Sequence, residues 1–104
     1  MNANNWSERK ALAGAVLEID VRNHAGVMSH VVGLFSRRAY NLEGILVMPV
    51  GAGEQSRVWL KVIEDARLTQ MIKQVEKLED VLAVRRHGAD HAVFERIEEF
   101  FRAA

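Results

Sequence analysis

Asn23, Gly26 and Asn41 are the residues whose types and placement best suit the binding of a small molecule. The stretch "RNHAG" (22–26) ends a strand-like run and opens a helical one. The first amides of a helix have no acceptor within it, and the helix dipole favours an anion in front of them, so a carboxylate suits this turn. Asn23 offers an amide donor and a carbonyl acceptor, the complement of an amino acid's two charged groups. Gly26 lets a ligand approach the backbone closely. Asn41, in the polar turn after the helical run, repeats the chemistry of Asn23. Asparagine and glycine are also ordinary turn residues. Taken alone, these residues leave a small-ligand site and plain turn chemistry both open.

Nothing comparable points to catalysis, which needs a nucleophile, a general base or a metal held in place by a second group. There is no cysteine, and the four histidines lack metal-site spacing: His24 and His30 fall on different local elements, and Gly88 separates His87 from His91. Glu18 and Asp20 alternate with apolar residues beside Arg22 and read as water-facing. Glu76, Glu79 and Asp80 read as solvated charge at a helix end. No catalytic residue and no metal ligand is assigned. The "GAG" at 51–53 lacks both the dinucleotide fingerprint and the phosphate-loop lysine, and a hairpin accounts for it.

Nucleic-acid binding is the alternative that the element order invites, because RNA-recognition modules share it. Trp59 between Arg57 and Lys61 places one aromatic among basic groups. Against this, Glu18 and Asp20 would repel phosphate, and 14 basic residues are balanced by 14 acidic ones. No net field draws the chain to nucleic acid or to an anionic membrane.

The elements that must position these residues follow from periodicity. Leu17, Ile19 and Val21 alternate with Glu18, Asp20 and Arg22, the pattern of a half-buried strand. Met28, Val31, Val32 and Phe35 share one helical face, widened by Val27 and Leu34. Gly33 within that helix suggests a close approach to a sheet. "LEGILVMPV" and "SRVWLKVIE" read as strands joined by a glycine-rich hairpin, with Val58, Leu60 and Val62 on one face of the second. Asp65 is the expected N-cap of a second helix carrying Leu68, Met71, Ile72, Val75 and Leu78. "EDVLAVRRH" is a fourth short strand. The tail reads as a third helix with Val93, Phe94, Ile97, Phe100 and Phe101 in an apolar band.

The order strand-helix-strand-strand-helix-strand predicts an α+β, ferredoxin-like βαββαβ domain: a four-stranded antiparallel sheet, two helices on one face, and an additional C-terminal helix. With 49% apolar residues over 104 positions, the chain suits one globular domain. The expected division is a polar leader over 1–13 with Trp6 as its only large apolar group, a domain over 14–88, and a helical extension over 89–104. The second sheet face has no cover within the βαββαβ plan. Leu46, Met48 and Trp59 are the expected interface there, unless the tail helix covers them. No signal-peptide core and no membrane span is read, and a cytoplasmic location is expected.

"EIDVRNHAGVMSHVVGLFSRRAYNLEGILVMP" and "SRVWLKVIEDARLTQMIKQVEKLEDVLAVRRH" resemble the ACT domain of the small, regulatory subunit of acetohydroxyacid synthase, also called acetolactate synthase. The likeness is greatest to the short single-domain form and runs over about residues 14–101. It implies a non-catalytic subunit that pairs with itself through ACT domains. It also implies association with a large catalytic subunit carrying thiamine diphosphate, Mg2+ and FAD, no cofactor being bound by this chain. The partnership would raise activity and confer feedback inhibition by valine in branched-chain amino acid biosynthesis. Carried over by position, the resemblance puts Asn23, Gly26 and Asn41 at the charged end of the effector, with His24, Ala25, Val27, Met28 and Leu42 as neighbours. A free amino-acid-sensing ACT protein is the related alternative.

Overall fold

The computed structural model describes residues 14–102; the leader with Trp6 lies outside them. The elements run β1 (Gly14–Arg22), α1 (Val27–Arg37), β2 (Leu42–Val50), β3 (Gln55–Ile63), α2 (Leu68–Glu76), β4 (Val81–Gly88) and α3 (Ala92–Arg102). The strands form one antiparallel sheet in the order β2-β3-β1-β4. This is the expected ferredoxin-like arrangement.

Alternation works as predicted on the core face. Leu17, Ile19 and Val21 of β1 and Val58, Leu60 and Val62 of β3 are buried against Val27, Val31, Leu34 and Phe35 of α1 and Leu68, Met71 and Val75 of α2. The buried stripe of α1 is therefore rotated from the predicted one. Val27 and Leu34 face the core, while Met28 and Val32 lie half-buried at its border. Gly33 does not meet the sheet. A Cβ there would lie 2.9 Å from Arg37 Nη1, so the glycine accommodates a side chain of its own helix.

The α1 C-terminus closes through Tyr40 N–H donating to the Phe35 carbonyl and Ala39 N–H donating to the Ser36 carbonyl, with Ala39 at a φ of 52°. This left-handed closure aims the chain into β2. Tyr40 is buried, stacks edge-on against Phe35, and donates its hydroxyl to the Ile63 carbonyl at 2.9 Å. Asp65 caps a turn ahead of α2 rather than the helix proper: its Oδ1 accepts from the Arg67 amide at 2.8 Å, and the helix starts at Leu68.

The second sheet face is covered in part from within the chain, contrary to the bare βαββαβ plan, with Met48 left exposed. α3 lies across it with Phe94 over Gly44 and with Glu98 ion-paired to Lys61. The predicted apolar band of α3 is only partly used: Phe94 is buried, but Phe100 and Phe101 are exposed. Beyond α3, Glu18 and Asp20 do not face open water. Asp20 is buried, and its carboxylate accepts from Arg57 Nε at 2.8 Å and Arg85 Nη1 at 2.9 Å. Glu18 meets the same two guanidiniums at 3.2 Å and His87 Nε2 at 2.9 Å. This charge cluster shields the centre of the sheet, so β1 is covered on both faces.

Candidate functional site

The turn between β1 and α1 is fastened to two neighbouring segments. The Asn23 amide donates to the Glu54 carbonyl at 3.0 Å, and Asn23 Nδ2 donates to the Gly53 carbonyl at 2.8 Å, both in the β2–β3 hairpin. The Arg22 amide donates to the Asp80 carbonyl at 2.9 Å, and Arg22 Nη1 donates to the Glu79 carbonyl at 2.8 Å, both before β4. The amide donor of Asn23 is thus spent on the fold. Its side-chain oxygen is the group that can accept from an ammonium.

Gly26 stands at the N-cap with φ 88°, a left-handed conformation that favours glycine. Its dihedral is needed by the turn, and the space in front of it is also open, since an added Cβ would meet nothing within 4 Å. Among the described residues no side chain caps α1, and its first turn holds no acidic residue. The Val27 amide reaches the His24 carbonyl and the His30 amide reaches the Gly26 carbonyl. Met28 and Ser29 then supply the amides that have no helical acceptor. The side chains of Val27 and Met28 turn toward the core instead, Val27 fully and Met28 in part.

His24 is engaged at both ring nitrogens. Nε2 lies 2.6 Å from Asp80 Oδ2, and Nδ1 lies 2.7 Å from the Ala25 carbonyl oxygen. The Ala25 carbonyl first, and Asp80 after it, hold the imidazole pKa above its ordinary value. Asp80, solvated charge by its sequence setting, is thus the partner of the His24 ring. It lies 56 positions from His24 (80 − 24), and no local pattern in the sequence connects the two.

Asn41 is placed elsewhere. It precedes β2 at the C-terminal end of α1, and the 11 residues of that helix span about 16 Å. One copy of the chain therefore brings Asn23 and Gly26 together but not Asn41. Asn41 lies on an open groove of about 470 Å³ lined by Val32, Ser36, Tyr40, Leu42 and Ile45. The groove combines an apolar floor with one side-chain amide at its rim, and it opens along β2, an edge strand.

The other expected surface divides. Leu46, Trp59, Glu18 and Arg85 form one cross-strand row on the second sheet face. Trp59 is stacked beneath His91 at 4.8 Å between ring centroids and beside His87 at 5.7 Å. His91 Nδ1 in turn accepts from the Val93 amide at 3.1 Å, which caps the start of α3. Trp59 thus serves an internal joint and is no open stacking platform for RNA bases. Leu46 is half-buried, while Met48 is 70% exposed. Among the described residues no three histidine, aspartate or glutamate side chains are placed to hold a metal ion.

The comparisons with known proteins agree with this architecture. Residues 17–83 match the family described as the AHAS small subunit-like ACT domain. The acetolactate synthase isozyme 1 small subunit of Escherichia coli strain K12 is 53% identical over 87 residues, covering 84% of this chain and 91% of that protein. The isozyme 3 small subunit of the same strain is 38% identical, with 70% of this chain matching 45% of that longer protein. Among solved structures, the acetolactate synthase small subunit from Thermotoga maritima superposes with a TM-score of 0.64 at 32% identity, over 70% of this chain and 46% of that one.

Proposed function

Because this chain belongs to the acetolactate synthase small-subunit family of ACT domains, regulatory rather than catalytic subunits, we propose that it activates a large catalytic subunit and makes it sensitive to feedback inhibition by valine. In this reading thiamine diphosphate, Mg2+ and FAD belong to the catalytic subunit, which condenses 2-oxoacids toward the branched-chain amino acids. The complex works in the cytoplasm; no helix among the described residues is long and apolar enough to cross a membrane.

The observation that carries this proposal is the pairing of an uncapped α1 entry turn with an apolar groove at the far end of the same helix. The amides of Met28 and Ser29 suit the carboxylate of an amino acid, and the Asn23 oxygen suits its ammonium. A branched aliphatic side chain matches a groove floored by Val32, Leu42 and Ile45. These parts lie too far apart to hold one small molecule within one copy. Two copies joined along their β2 edges by a twofold axis would run their α1 helices antiparallel. The Gly26 turn of one would then face Asn41 of the other. Valine bound between copies would favour one relative placement of the pair, and the catalytic subunit would respond to that placement. Such coupling is a difference in valine affinity between two states of the assembly.

The direct test is reconstitution with the catalytic subunit, measuring synthase activity with and without valine. Activation by this chain together with valine inhibition supports the proposal; a chain that leaves synthase activity unchanged overturns it. G26D, which sets a carboxylate in front of the α1 amides, is expected to keep activation and lose inhibition.

A further inference from the structure

His24 was expected as a neighbour of the effector, yet its ring is committed elsewhere. Nε2 is 2.6 Å from Asp80 Oδ2 and Nδ1 is 2.7 Å from the Ala25 carbonyl oxygen. Both of those oxygens are acceptors, one of a carboxylate and one of a backbone carbonyl. A neutral imidazole carries one N–H, so it can serve only one of them and sets a lone pair against the other. The imidazolium serves both.

The surroundings leave this link as the titratable one at the turn. The fastenings to Gly53, Glu54, Glu79 and Asp80 made by Asn23 and Arg22 all end on backbone carbonyls and are indifferent to pH near neutrality. The charged residues facing His24 are Asp80 and Glu79 of the α2–β4 connection, both of which favour its cationic form. Arg22, on the adjoining end of β1, directs its guanidinium to the Glu79 carbonyl. Among the described residues, 24–26 have no such backbone fastening across to another element. Gly26 adds conformational freedom, and no side chain caps the helix behind it.

We propose that His24 is a positioning residue: as an imidazolium it latches the α1 entry turn onto Asp80, so that capture of the effector carboxylate depends on a proton held outside the binding site. This rests on the effector reading of the Gly26 turn. The sign follows from the protonated form being the latched one. The latch is closed below the ordinary imidazole range, about 6.5, and opens as pH rises through the higher value that the folded chain imposes. Valine should bind more weakly to the open form.

Two measurements on the full-length chain test this. In the first, the ring signals of His24 are titrated by NMR without valine, in wild type and in D80N. The latch predicts a raised midpoint in wild type that falls in D80N; equal midpoints in the two proteins overturn it. In the second, valine affinity is measured by calorimetry between pH 6 and 8 for wild type, D80N and H24N, with circular dichroism confirming folding. Wild type should lose affinity by roughly two- to fivefold across this range, the factor carried by an exposed charge pair. D80N and H24N should be weak at the lower pH and nearly flat. A wild-type profile retained in both variants overturns the proposal. If wild type binds no valine at any pH, the effector reading fails and capture has no proton dependence to explain, which overturns the proposal even where the NMR midpoints confirm the ion pair.

Discussion

Phe94 of α3 lies so close over Gly44 of β2 that a Cβ added to Gly44 would be 2.8 Å from Phe94 Cε1. Helix α3 thus docks on the second sheet face through a contact that only glycine permits, with the Glu98–Lys61 ion pair and the His91–Trp59 stack beside it. Covering this face gives a domain of modest size a second small core.

The G44A variant should therefore unfold more easily, by about 1–3 kcal/mol, the cost of forcing a methyl into a packed contact. The buried Phe94 ring has little room to withdraw. F94A removes the obstacle and loses its own packing, so G44A should cost much less in the F94A background. Urea unfolding of the two single variants and the double variant checks this. Additive effects would show that Phe94 and Gly44 do not meet.

The strands and the two core helices were legible because their signals are local. Leu17, Ile19 and Val21 alternate within one strand, and Leu68, Met71 and Val75 repeat within one helix. What covers the opposite parity was not legible. Glu18 and Asp20 look solvent-facing until Arg57 and Arg85 arrive from two neighbouring strands. Gly33 differs, since its neighbour Arg37 lies one turn along the same helix and only the rotamer that folds this side chain back is not legible. At the candidate site, Asn23 and Gly26 announce a turn through residue type. The bond from His24 to Asp80 joins segments that only the closed sheet brings together. The distance of Asn41 from Asn23 follows from the length of α1, which could be read from the sequence. Which chain completes the site could not.

The Asp20 cluster should show itself in acid. Burial pushes the Asp20 carboxyl up, but hydrogen bonds from Arg57 and Arg85 outweigh it and hold its pKa below the ordinary value. A lowered folded pKa contributes stability that is present above the unfolded value, about 3.9, and is lost as pH falls through the folded one. D20N keeps the shape and removes the charge. At pH 7 it should cost about 1–2 kcal/mol, less than a fully enclosed pair because both guanidiniums still touch water. Urea midpoints of wild type and D20N should converge as pH falls from about 4 to about 2. A gap that stays constant over that range would assign the loss to packing instead.

Gly26 allows backbone strain to be separated from charge. Asparagine and aspartate both tolerate the left-handed conformation better than other side chains, and they differ by one charge. In reconstituted enzyme, G26N should keep valine inhibition within about tenfold of wild type, a shift of about 1.4 kcal/mol, whereas G26D should lose it. G26A should cost about 1–2 kcal/mol in folding stability through its φ of 88°. Equal loss of inhibition in G26N and G26D would assign the effect to backbone shape and remove the carboxylate from the turn.

The β2 edge is the proposed joint between copies, and it can be tested apart from the effector. Val47 and Ile45 of β2 are exposed on the helix-bearing face, and among the described residues β2 has a paired neighbour on one side only. Open apolar edges invite pairing, and a net charge of zero does nothing to oppose it. Lysine on an edge strand discourages such pairing. V47K should therefore shift the chain from dimer to monomer in sedimentation equilibrium, weakening association at least about tenfold. L82K places the same charge at exposed Leu82 on β4, the opposite edge, and should leave the dimer intact. Val47 does not line the Asn41 groove, so loss of valine inhibition in V47K would come from separating the copies. A V47K chain that stays dimeric and valine-sensitive would move the joint away from β2 and leave Asn23 and Asn41 in separate places.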